Sequence, residues 1–179
     1  MTPPPVERCT LAPGLTISRA LTGLWQIADM ERDGRTIDLH ATARAMAPYV
    51  AAGFTTFDMA DHYGSAEVVA GLYRAEIEPG AEVQLLTKWV PKPGPVSRDD
   101  VRAAVERALR RLQGGVIDLL QFHAWTFADP RWLDALFFLD ELRREGLIRH
   151  LGLTNFDTAH LRIAVTSGIP IVSNQVSYS

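Results

Sequence analysis

Apolar positions in this chain recur first with a period of two, then in short runs separated by helical stripes. Cys9-Thr10-Leu11 and Leu15-Thr16-Ile17 alternate about the turn residues Ala12-Pro13-Gly14, which predicts a β-hairpin. Beyond it, strand and helix patterns take turns. Residues 21–27 read as a strand and 37–52 as a helix that Pro48 shortens or kinks, because proline lacks the N–H an interior turn needs. Residues 54–60 read as a second strand, 65–73 as a short helix and 83–88 as a third strand. Ser97 and Asp100 form a capping-box-like start to a helix whose apolar face is Val101, Val105, Ala108, Leu109 and Leu112. The run 116–123 is almost continuously apolar, as expected of a strand covered on both faces. Asp129-Pro130 predicts the N-cap and first turn of a helix ending near Gly146. Residues 148–153 follow as a fifth strand, Asp157 caps a helix running to Ser167, and 171–178 form a sixth strand.

Alternating strands and helices imply a parallel sheet covered by helices, either doubly wound or closed toward a barrel. A nucleotide-binding doubly wound sheet would place a glycine-rich turn after its first strand. Here that stretch reads Gly23-Leu24-Trp25-Gln26-Ile27, which is neither G-x-G-x-x-G nor a P-loop. The barrel is therefore expected.

Composition narrows the function classes. The 179 residues suit one domain, 47% of them hydrophobic and 22% charged, and a net charge of −3 gives no electrostatic reason to expect nucleic acid or an acidic membrane as partner. A single cysteine, Cys9, precludes an intrachain disulfide. The N-terminus lacks the basic flank and apolar stretch of a secretory signal, and the apolar runs are too short to span a membrane. A cytoplasmic protein is expected.

In a parallel barrel the reactive groups lie at the C-terminal ends of the strands. Asp58 ends the second strand with Tyr63 following, Lys88 ends the third, His123 the fourth and Thr154-Asn155 the fifth; Gln175 lies in the sixth. Positions 58, 88, 123 and 155 are 30, 35 and 32 residues apart, roughly one strand–helix unit each. Taken singly, Asp58 and Lys88 would suit a structural ion pair, Tyr63 a rim aromatic and His123 a satisfied core histidine. Their common placement points to one rim, where a buried Asp and Lys must be paired to be tolerated. Trp25, Trp89 and Trp125 lie at or just beyond strand ends and are candidates for an apolar substrate pocket, with capping of the core as the plain alternative.

These segments resemble the aldo-keto reductase superfamily. Residues 53–67, GFTTFDMADHYGSAE, look like that family's first signature, and Leu86-Thr87-Lys88 its lysine strand. Residues 105–123, with LRRL and IDLLQFH, resemble its central signature, Gly152-Leu153-Thr154-Asn155-Phe156 its Gly-x-Ser-Asn-Phe stretch, and Asn174-Gln175-Val176-Ser177-Tyr178 the following strand. The resemblance implies a (β/α)8 TIM-barrel fold, here about six units with an N-terminal hairpin: one domain, 1–179, incomplete at its C-terminus. It implies a catalytic tetrad of Asp58, Tyr63, Lys88 and His123, with Thr154, Asn155 and Gln175 on the nicotinamide carboxamide. The implied cofactor is NADP, the family's commoner choice, with NAD left open because the deciding loop follows the eighth strand. The chain departs from the family with His123-Ala124-Trp125 in place of His-Trp-Pro, and its seventh and eighth strands have no counterpart.

The implied chemistry is reduction of a small aldehyde or ketone. Tyrosine is a weak acid, with a pKa of about 10. The Lys88 ammonium is expected to lower that value and make Tyr63 a workable proton donor, with Asp58 holding Lys88 and His123 orienting the carbonyl oxygen. A non-catalytic, reductase-like binding protein is the alternative. A metal-dependent barrel hydrolase would bring a His-x-His pair from its first strand, yet no histidine precedes His40, and no metal site is expected. Open edges on the first and sixth strands would favour self-association.

Overall fold

The computed structural model describes residues 5–27 and 37–178. Arg8–Ala12 (β1) and Leu15–Ser18 (β2) form the expected antiparallel hairpin, with Cys9 opposite Ile17. Its turn places Gly14 at φ 73°, a left-handed conformation that a side chain would strain.

Six parallel strands follow: Thr22–Gly23 (β3), Thr56–Asp58 (β4), Gln84–Trp89 (β5), Ile117–Phe122 (β6), Ile148–Thr154 (β7) and Ile171–Gln175 (β8). They are hydrogen-bonded in chain order from β3 to β8. A doubly wound sheet would reverse its order partway; this one winds in one direction, and the result is a curled half-barrel with helices on its outer face. The fold class read from the sequence is the fold observed.

Several boundaries differ, each for a local reason. The first barrel strand is only two residues long, because the chain turns at Trp25–Ile27 after Leu24 donates to the Asp58 carbonyl at 2.9 Å. The single helix expected over 37–52 is two, Leu39–Arg44 (α1) and Ala47–Ala51 (α2), with Pro48 in the first turn of the second, where its missing N–H costs nothing. Ala66–Leu72 (α3) runs on into one π-helical turn, Tyr73–Ile77. Arg98–Arg111 (α4) begins with a complete capping box between Ser97 and Asp100. Trp132–Arg144 (α5) corrects the expectation for Asp129-Pro130. Its N-cap is Arg131, and the Asp129 carboxylate is taken instead by the Arg131 amide and guanidinium. Thr158–Thr166 (α6) starts at Asp157, which accepts from the His160 amide at 2.9 Å as expected of a cap. Among the described residues no helix is long and apolar enough to cross a membrane.

Side-chain alternation along the strands builds two cores. Phe57, Leu85, Leu120, Phe122, Leu151 and Leu153 face the helices and pack with Val69, Val105, Leu136 and Leu139. On the opposite, inner face Leu86 and Leu119 pack against Ala12, Leu15 and Ile17 of the hairpin. The hairpin therefore plugs the N-terminal end of the half-barrel with apolar groups. Polar inner-face residues occur one step further along each strand, at the C-terminal end.

Candidate active site

Asp58 on β4, Lys88 on β5, Gln121 on β6, Thr154 on β7 and Gln175 on β8 sit at or near the strand ends. Their registers are linked: Asp58 stands beside Leu86, Lys88 beside Gln121, and Thr154 beside Gln175. The pleat that aims Leu86 and Leu119 into the hairpin aims Lys88 and Gln121, two residues later, into the same interior.

Lys88 and Asp58 form the centre. The Lys88 ammonium donates to Asp58 Oδ2 at 2.6 Å and to the Met59 carbonyl at 3.0 Å, and Lys88 is only 4% exposed. Burial pushes the lysine below its ordinary pKa, while the Asp58 charge and hydrogen bond pull it back up. Gln121 donates to Asp58 Oδ1 at 3.2 Å and Gln175 to Oδ2 at 3.4 Å. With donors on both oxygens, the mostly buried carboxylate is compensated at the floor of the site.

Tyr63 lies on the loop after β4, its ring 5.4 Å from the Lys88 ammonium and edge-on to Trp25 at 4.6 Å. The tyrosine is pushed above its ordinary pKa, chiefly by burial and further by the Asp58 charge. This corrects the expectation that Lys88 lowers it: burial disfavours the phenolate, and the Asp58 carboxylate that holds Lys88 at 2.6 Å adds a like charge against it. Tyr63 therefore carries its proton at neutral pH.

His123, just past β6, lies below the ordinary imidazole value through burial, with the nearby His62 and Lys88 acting in the same direction. Asp58, Tyr63, Lys88, His123, Thr154, Asn155 and Gln175 all line one open cavity of about 230 Å³. Asn155 adopts φ 56°, a left-handed conformation that asparagine tolerates, and its Oδ1 accepts from the Ser177 amide at 3.2 Å. The buried Thr154 hydroxyl has no hydrogen-bond partner among the described residues. Larger grooves of about 470 and 690 Å³ lie beside the loop after β5 and at the hairpin end of the sheet, but neither contains the lysine, tyrosine and histidine together.

The three tryptophans separate. Trp25 touches Tyr63 and His62, and Trp125, 62% exposed, stacks at a tilt on His123 at 5.0 Å. Trp89 is not brought to this rim. It is 6% exposed and packs on Phe122 in the layer between sheet and helices. The signal was available, since adjacent residues in a strand face opposite ways and Lys88 faces inward. The sequence reading also leaves out Gln121, which the same rule would find two residues before His123, and His62, which bridges Trp25, Tyr63 and Trp125 through ring contacts.

Comparison with known proteins agrees with this fold. The profile of the Aldo/keto reductase family matches residues 21–179. An aldo-keto reductase of Mycobacterium sp. (strain KMS) is 31% identical over 91% of this chain. A crystal structure of a thermostable aldo-keto reductase in complex with the inhibitor epalrestat superposes with a TM-score of 0.80 at 26% identity, covering 96% of this chain and 62% of that one. An aldo-keto reductase of Bombyx mori, crystallised with NADP, has the same fold at 22% identity, with a TM-score of 0.76 over 98% of this chain and 59% of that one. The chain spans 55% of the length of the mycobacterial relative. On its sequence and its half-barrel, this chain belongs to the aldo/keto reductase family.

Proposed function

We propose that this chain carries the catalytic rim of a nicotinamide-dependent reductase, NADP-linked by the family's habit, that converts a small aldehyde or ketone into an alcohol. The observation that carries the reading is the convergence of Tyr63, Lys88, Asp58 and His123 on one cavity, with Lys88 clamped to Asp58 at 2.6 Å.

No side chain here is a hydride donor; a bound reduced nicotinamide would supply hydride to the carbonyl carbon. The residues at the ends of β7 and β8 fit its carboxamide. The buried Thr154 hydroxyl lacks a partner, and neither the Asn155 amide nitrogen nor the Gln175 amide oxygen is bonded among the described residues. One amide can donate while the other accepts, which matches the carboxamide's own donor and acceptor.

Tyr63 begins protonated and donates its proton to the carbonyl oxygen as negative charge develops there. The Lys88 ammonium becomes effective at that moment, when a phenolate forms beside it. Asp58 keeps Lys88 charged and fixed, so little reorganisation is needed. His123, neutral at pH 7, donates one N–H toward the same oxygen. Trp25, packed on Tyr63, and Trp125, stacked on His123, adjoin the cavity lining and on this reading would favour an apolar carbonyl compound.

The test is oxidation of NADPH with 4-nitrobenzaldehyde, comparing the unaltered sequence with Tyr63→Phe in a version extended to a complete barrel. The variant is expected to lose carbonyl reduction while cofactor binding stays nearly intact. Retention of more than about a tenth of the original kcat, a barrier change below about 1.4 kcal/mol, would remove Tyr63 as the acid. NADPH binding without turnover in the unaltered protein would favour a binding protein of the same fold.

A further inference from the structure

Glu67 on α3 is 1% exposed and takes no part in the reaction above. Thr87 donates its hydroxyl to Glu67 Oε1 at 2.7 Å, and Arg111 donates to Oε2 at 3.1 Å. The same Arg111 nitrogen donates to the Asp61 carbonyl at 2.9 Å. Each partner has a consequential neighbour. Thr87 immediately precedes Lys88 on β5, and Asp61 lies two residues before Tyr63.

The loop 59–63 is thereby held from two sides. On the sheet side Met59 donates to the Leu86 carbonyl and Asp61 to the Lys88 carbonyl, each at 2.9 Å. On the helix side Arg111 holds the Asp61 carbonyl. The Arg111 side chain is 32% exposed and would exchange that carbonyl for water if nothing fixed it; the buried carboxylate fixes it. Helices α3 and α4 approach closely enough for this because residue 71 is glycine: a Cβ there would lie 2.2 Å from the Arg111 carbonyl oxygen. A brace between two helices alone would not need to grip the loop backbone.

We infer that Glu67 and Arg111 are positioning residues for Tyr63. Through the Asp61 carbonyl they set the height of the tyrosine loop over β5, and through Thr87 they tie that height to the strand bearing Lys88. Its catalytic consequence rests on the reductase reading; the positioning itself does not. Small errors of placement at a proton donor reduce turnover by about a hundredfold per ångström.

The experiment uses the whole chain and the variants Arg111→Met, Arg111→Lys and Glu67→Gln, with amide hydrogen exchange resolved by residue. Arg111→Met is expected to speed exchange at Asp61 and Tyr63 by about tenfold more than at Leu119 and Leu120, and Arg111→Lys to restore part of the protection. In a complete barrel that turns over 4-nitrobenzaldehyde, Arg111→Met lowers kcat by about tenfold or more while the KM for NADPH stays within about twofold. Exchange rising uniformly along the chain would reduce Arg111 to a fold brace and overturn the inference, as would a folded Arg111→Met protein with unchanged kcat. If the unaltered protein shows no turnover the reductase reading fails, and the exchange arm still decides the positioning. Glu67→Gln keeps one acceptor for Arg111 and is expected to fall between the two arginine variants.

Discussion

Gln121 reaches from β6 across β5 to donate its side-chain amide to Asp58 Oδ1 at 3.2 Å, leaving Oδ2 for Lys88 at 2.6 Å. The candidate proton-transfer centre thus spans three adjacent strands. Its central charge is satisfied by groups that sequence distance keeps far apart.

That arrangement predicts an asymmetric response to substitution. Lys88→Met leaves the mostly buried Asp58 carboxylate without its ammonium and is expected to cost about 3–5 kcal/mol of stability. Asp58→Asn combined with Lys88→Met removes both charges and is expected to recover much of that loss. Urea unfolding of the single and double variants measures it. Equal stability of Lys88→Met and the unaltered chain would contradict a buried, coupled pair.

Stability should fall as the solution is acidified, through His123 and His150. Burial is the main reason each imidazole lies below its ordinary value of 6.5. The unfolded chain takes up protons near 6.5, whereas the folded chain resists until its own lower values are reached. The folded state therefore loses ground as pH drops through that window, with no further loss from these groups below it. Unfolding midpoints measured between about pH 8 and pH 5 check this, and His123→Gln should flatten part of the slope. Glu67, raised by burial, acts with the opposite sign, so the histidine part is read from the difference between the unaltered chain and His123→Gln; an identical slope in the two proteins would remove His123 from it.

The tryptophans should divide by role. Trp89→Ala is expected to cost about 3–5 kcal/mol, the range for emptying a large aromatic from a core. Trp125→Ala, at a 62% exposed position, should change stability by no more than about 0.5 kcal/mol and raise the KM for an aromatic aldehyde in a complete barrel. Thermal unfolding together with steady-state kinetics separates the two outcomes. A Trp125→Ala protein with unaltered KM would take Trp125 out of the pocket.

The 179-residue chain by itself is expected to self-associate and to hold NADPH weakly. Within the described sheet β3 and β8 each have one strand neighbour, which leaves a row of backbone groups on either side for another chain. Sedimentation analysis with a fluorescence titration of NADPH tests both parts. A stable monomer with micromolar affinity would count against them.

Local pattern was enough for the hairpin, the order of strands and helices, the Ser97–Asp100 box and the placement of Asp58, Lys88, His123 and Thr154 at strand ends. All of these depend on neighbours within a few residues and on the two backbone periods, which a single chain displays directly. The boundaries that moved, at β3 and at Asp129, moved because a turn or an arginine a few positions away competed for the same backbone groups. What only the tertiary structure decided is where side chains meet across strands. Trp89 faces the helices while Lys88 faces the rim, Gln121 joins Asp58, and Glu67 grips Arg111 behind the tyrosine loop. The position of Tyr63 on the pH scale was decided there too. It depends on how much water the fold removes from the ring and on how near the Asp58 charge lies, and both are burials and distances set by strand register and helix packing, which no spacing along the chain encodes.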